Sequence, residues 1–191
     1  MFAQRLADCW EGAADPSRPY AFLVSTTGCA RDIRHHMGSA DYSYVFVLKA
    51  LAPVLERLGR WQLVEAPESR LALVAARAAA EGFRPVHLAL LPPHASYFTP
   101  AVPTILFPFW EFPNVPNRDS QYNTRQNWVR LCRRADLVLT ACRFTADTFR
   151  RAGVAAPIEV VPVPLASHHF AVPDRDPAFT WSLDCRHLVL G

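Results

Sequence analysis

Glu111 stands alone among aromatic residues in the run Phe109-Trp110-Glu111-Phe112-Pro113. A carboxylate held between Trp110 and Phe112 just after an apolar strand is expected to be partly desolvated, and such a group can orient or deprotonate a hydroxyl. A salt bridge or a capping role, with Arg118 as partner, is the structural alternative. Trp110 and Phe109 can stack on the apolar C–H face of a sugar ring, although aromatics that follow a buried strand more often belong to a core. His94, after two prolines, can contact a hydroxyl or serve structure alone, and Asn117 and Arg143 add hydrogen-bonding groups in neighbouring loops. Gly38-Ser39 precede a helix pattern, so their backbone N–H groups, with Arg31 and Arg34 nearby, suit a phosphate. A lone glycine is a weaker signal than G-x-G-x-x-G, which is absent, and a solvated loop accounts for the stretch equally well. His35 and His36 read as surface residues. No G-x-S-x-G, H-E-x-x-H or acidic cluster occurs, which disfavours hydrolase and metalloenzyme chemistry.

These residues need a frame that brings them together. Thr104 to Phe107, bounded by Pro103 and Pro108, read as a short strand buried on both faces, as in a parallel sheet. Similar runs at Tyr20–Val24, Trp61–Val64, Val86–Leu91, Asp136–Leu139 and Ile158–Val161 predict five more strands. Val45, Leu48, Ala52, Leu55 and Leu58 predict a helix, capped by Asp41 or Ser43, kinked at Pro53 and ended by Gly59. Pro67 marks the start of a second helix, whose stripe is Leu71, Val74, Ala75 and Ala78 and whose end is Gly82. Trp128, Leu131, Cys132 and Ala135 define a third, and Phe144 to Ala152, stopped by Gly153, a fourth. The alternation is that of an α/β chain, a Rossmann-like doubly wound parallel sheet of about six strands. The loops at the carboxyl ends of its strands open on one edge, where such sheets bind ligands.

Residues 1–19 read as a lead-in, 20–170 as one domain, and 171–191 as a linker and the start of a further strand of a second domain. The 191 residues are 51% hydrophobic and 19% charged, enough for one well-buried core. The net charge is only +3 and the cations are scattered, Lys49 being the sole lysine, which argues against a nucleic-acid partner. The longest apolar runs fall short of the roughly 20 residues that span a bilayer, and Asp8, Glu11 and Asp15 break any signal-peptide core. A cytoplasmic protein is expected, at most peripheral to a membrane. Five cysteines without a C-x-x-C pair suggest reduced, mostly buried thiols.

Trp110-Glu111-Phe112-Pro113, then Ala135-Asp136-Leu137-Val138 with Phe144, then Ala152-Gly153-Val154 and Val160-Val161-Pro162, resemble in order and spacing the N-terminal half of GT-B glycosyltransferases of the retaining, mannosyltransferase-like family 4. Cys142 stands where that family usually carries a helix-capping serine. The resemblance implies an acceptor-side Rossmann-like domain that pairs with a second, C-terminal domain holding a nucleotide-diphosphate sugar, with no metal or other cofactor. Gly38, Ser39 and Arg34 would then face the donor phosphates, and Glu111, Trp110, His94, Asn117 and Arg143 the carbohydrate or other hydroxyl acceptor, with Glu111 as the catalytic residue. The expected reaction is sugar transfer with retention, in which these 191 residues alone would be inactive. A nucleotide-sugar epimerase and a non-catalytic sugar- or nucleotide-binding module are the rival readings.

Overall fold

The computed structural model describes Trp10, Ser17, residues 19–26, 42–119 and 125–165, and five single residues beyond them, Phe170, Ala171, Asp176, Ala178 and Thr180. Most of the 1–19 and 171–191 segments, and with them the expected lead-in and second-domain strand, lie outside the described residues. Six parallel strands form one sheet in the order β2-β1-β3-β4-β5-β6: β1 Tyr20–Thr26, β2 Gly59–Leu63, β3 Arg84–Leu90, β4 Thr104–Leu106, β5 Leu137–Thr140 and β6 Ile158–Val160. Among the described residues four helices connect them: α1 Tyr42–Leu58, α2 Pro67–Ala80, α3 Trp128–Cys132 and α4 Arg143–Arg151. The chain leaves β1 toward β2, returns past β1 to β3, and then runs outward to β6. The winding therefore reverses between β1 and β3, and the crevice at the carboxyl ends of those two strands is the switch point of the sheet.

Side chains alternate across the sheet with period two, and each face recruits its own helices. Phe22, Val24, Trp61, Leu63, Leu88, Leu90 and Phe107 pack against Tyr44, Val47, Leu48, Leu51 and Leu55 of α1. On the opposite face Leu23 meets Leu71, Val74 and Ala75 of α2. Further along that face Ala89, Leu106 and Val138 meet Trp128 and Cys132 of α3 and Ala146 and Phe149 of α4. Helices on both faces make the sheet doubly wound, as the alternating pattern predicts.

The boundaries show which local signals hold. Pro67 is the first residue of α2, and Gly82 and Gly153 take φ of 86° and 89°, the left-handed caps their positions call for. Gly59 does not end α1 in that way. It opens β2 directly after the helix, where a Cβ would fall 2.0 Å from the carbonyl oxygen of Tyr20, so close strand pairing is what requires glycine there. α1 runs on through Pro53, which is exposed. Its expected caps, Asp41 and the Ser43 side chain, lie outside what is described. α3 is only five residues long, so Ala135, with Arg133 and Arg134, falls after it. Arg134 instead donates to the carbonyl of Phe98 at 3.1 Å. Asp136 of the Ala135-Asp136 motif has a structural role: its carboxylate accepts the Thr104 amide at 2.7 Å and its own amide donates to the Thr104 carbonyl at 2.9 Å, aligning β4 with β5.

Candidate functional site

After β3 the chain turns through Pro92 and a single 3-10 turn, Pro93–Ala95, which the buried Ser96 closes by donating its hydroxyl to the Pro92 carbonyl at 3.1 Å. Prolines at 92 and 93 limit the backbone here and present His94 outward. The guanidinium of Arg125 donates to the carbonyls of His94 and Ser96, pinning the turn to the segment that leads into α3. Asn127 caps that helix by accepting the Arg130 amide at 3.0 Å, and the Trp128 amide donates to the Pro116 carbonyl at 2.8 Å. The loop after β3 and the two ends of the β4–α3 connection are thereby locked together on the carboxyl edge of the sheet.

The meeting point is aromatic. His94 stacks on Trp128 with ring centroids 5.5 Å apart and planes 25° from parallel. Trp110 lies 4.5 Å from Trp128 and 4.9 Å from Phe112. Its indole N–H donates to the Asn114 carbonyl at 2.7 Å, and its own carbonyl accepts the Thr145 hydroxyl at 2.7 Å. Over this floor opens a cavity of about 470 Å³ lined by His94, Pro116, Asn117, Arg118, Gln126 and Trp128. Apolar ring faces below and amide and guanidinium groups at the rim are the chemistry that holds a sugar or another flat, hydroxyl-bearing ring.

The residues named from the sequence divide accordingly. His94 and Asn117 share the cavity, and Trp110 supports its floor through Trp128. Glu111 follows β4 on the carboxyl side but is exposed, without a hydrogen bond or ion pair to a described residue. The expected desolvation by Trp110 and Phe112 is absent because those two rings pack edge to face on each other, leaving the carboxylate to water. Neither is Glu111 paired with Arg118, which faces the cavity. Arg143 is the exposed first residue of α4 and lines neither this cavity nor the one at the switch point. Gly38, Ser39 and Arg34 lie outside the described residues. Arg125, Gln126 and Trp128 were not singled out as site residues by sequence reasoning, since loop arginines and a helix-start tryptophan carry no spacing signal of their own.

A second cavity, of about 360 Å³, opens at the switch point and shares His94 with the first. Beneath it lies a buried polar chain that sequence reasoning also missed, formed by Ser25, His87 and Thr104. A histidine inside an otherwise apolar strand was the available signal. Among the described residues no three His, Cys, Asp or Glu side chains converge as metal ligands would, and no helix is long and apolar enough to cross a membrane. Scans against protein-family models, curated proteins and solved structures found no match to this chain.

Proposed function

We propose that this chain is the acceptor-side domain of a GT-B-type glycosyltransferase, one that moves a sugar with retention from a nucleotide-diphosphate sugar to a hydroxyl. The observation that carries the reading is the aromatic cavity on the carboxyl edge of an all-parallel sheet, with His94 stacked on Trp128 and Asn117, Arg118 and Gln126 at its rim. The resemblance of the Trp110–Pro113 and Ala135–Phe144 stretches to family 4 supports it. In this reading the acceptor ring lies on the Trp128 floor, and a second domain brings the donor's anomeric carbon to the acceptor hydroxyl. Holding two reactants in that way is worth up to roughly 7–11 kcal/mol of barrier, and stabilising the leaving phosphate falls to the donor side.

Saturation-transfer NMR on the 191-residue chain, with methyl glycosides and nucleotide-diphosphate sugars as probes, tests it. Glycoside protons are expected to receive saturation from the Trp128 region, with the effect lost in His94→Ala, while no nucleotide sugar is turned over until the donor domain is supplied. Turnover by the 191 residues alone would place the donor site in this domain and overturn the division of labour. A non-catalytic sugar-binding module is the second reading, favoured by the exposed position of Glu111. It predicts the same glycoside binding with no transfer under any supplementation.

A further inference from the structure

Ser25 ends its run of buried β1 residues on the face that α2 covers, and its Oγ lies 2.7 Å from His87 Nε2. His87 Nδ1 is 3.2 Å from Thr104 Oγ1. The three side chains come from β1, β3 and β4, with Leu23 opposite His87 and His87 opposite Thr104 in the parallel register. None is more than 2% exposed. Burial lowers the His87 pKa to about 4, so the ring is neutral at physiological pH. Each ring nitrogen has one hydroxyl partner, so in either tautomer one nitrogen donates and the other accepts.

Three apolar residues of similar volume would fill this space without burying polar groups, so the chain's value lies in what it specifies. It specifies the position of the Ser25 hydroxyl. That hydroxyl spends one of its three hydrogen-bonding positions on His87, and Ser25 is the member of the chain that lines a cavity. The cavity sits at the switch point between β1 and β3, where sheets of this winding receive ligands, and its 360 Å³ fits a small ring.

We infer that the switch-point cavity is a second ligand site that takes a neutral polyhydroxy compound, a hexopyranoside or a cyclitol, and that Ser25, braced by His87 and Thr104, fixes a ligand hydroxyl in it. The lining combines groups that accept and donate: Glu68, Ser25, Thr26, Tyr97 and Arg125, with His94 shared with the aromatic cavity. Adjacent ring hydroxyls, each donor and acceptor at once, match such a lining. An anion does not. α2 starts at Pro67, which has no N–H, and Glu68 adds negative charge to its first turn. The Arg125 guanidinium is turned to the carbonyls of His94 and Ser96. The site stands whether or not the chain transfers sugars.

The test is NMR of the His87 imidazole in the full chain, titrated with methyl α-glucopyranoside and myo-inositol, with inorganic phosphate as the anionic control. A neutral probe is expected to shift the His87 ring signals saturably. Ser25→Ala should weaken that binding at least roughly 10-fold, the loss of one well-placed hydrogen bond. Asn117→Ala, which removes a side chain of the aromatic cavity and none of the switch-point lining, should leave it unchanged. The proposal is overturned if neither neutral probe shifts His87, if phosphate alone does, if Ser25→Ala binds as well as the parent, or if Asn117→Ala abolishes the shift. Should Ser25→Ala fail to fold by far-UV circular dichroism, Glu68→Gln and Tyr97→Phe on the rim are held to the same threshold. Absence of glycosyl transfer by any assay bears on the proposed function and leaves this binding result where it stands.

Discussion

His94 and Trp128 face each other as stacked rings across a loop–helix junction, the histidine exposed and the tryptophan only 5% exposed. One residue is thus committed to the core and the other to the solvent side of the same contact. That asymmetry separates their substitutions. Trp128→Ala opens a cavity in the α3–α4 cluster and is expected to cost about 3–5 kcal/mol in urea denaturation. His94→Ala should stay within about 0.5 kcal/mol of the parent and yet weaken glycoside binding in the aromatic cavity. Equal effects of the two on stability would show that His94 is a packing residue and not part of a binding surface.

Glu111 is exposed and makes no hydrogen bond or ion pair to a described residue. Glu111→Gln is therefore expected to leave stability within about 0.5 kcal/mol of the parent. In a transfer-competent protein carrying the donor domain, the same change should lower kcat/KM by roughly 10²-fold if Glu111 orients or deprotonates the acceptor hydroxyl. An unchanged rate removes Glu111 from the chemistry.

The buried His87 links stability to pH. Its pKa is 6.5 when unfolded and about 4 when folded, lowered by desolvation. Between these values the unfolded chain binds more protons, so stability from this group is complete above pH 6.5 and declines as pH falls toward 4. The size of the decline is about 3 kcal/mol. Urea midpoints at pH 7 and pH 4.5 measure it. The difference between them should shrink in His87→Gln by most of that amount, and an undiminished difference would show that other groups carry the acid sensitivity.

Two cysteines differ in the same way by position. Cys142 is exposed at the start of α4, its Sγ 3.4 Å from Thr145 Oγ1. Hydrogen bonding from Thr145, side chain first and then backbone, lowers its pKa. Cys132, inside the cluster beneath α3, has its pKa pushed up to about 12 by burial. Iodoacetamide at pH 8 should therefore alkylate Cys142 and spare Cys132 in the native protein, as peptide mass spectrometry will report. Sulfur is only a weak acceptor for the Thr145 amide at this N-cap, where no side-chain cap bond of normal geometry forms, so Cys142→Ser should raise the melting temperature, by a gain of about 1 kcal/mol. A lower melting temperature would show that the thiol is preferred at that position for packing.

The strands and their order of appearance were legible from residue runs alone, because a strand buried on both faces is apolar along most of its length and prolines mark its limits. Pro67, Gly82 and Gly153 were legible because each meets a backbone requirement local to its own turn. Gly59 was not, since the atom that excludes a Cβ is the Tyr20 carbonyl of a neighbouring strand. The sheet order, and with it the switch point, depends on which way each crossover runs, and no window of sequence contains that choice. The site divides along the same line. His94, Trp110 and Asn117 could be named from their types and loop positions, whereas the exposure of Glu111 follows from how Trp110 and Phe112 pack on each other. Ser25, His87 and Thr104 lie far apart along the chain and become one hydrogen-bonded row only through the register of β1, β3 and β4. Residue types determine which contacts a chain can satisfy, but parallel pairing between distant strands decides which side chains stand side by side.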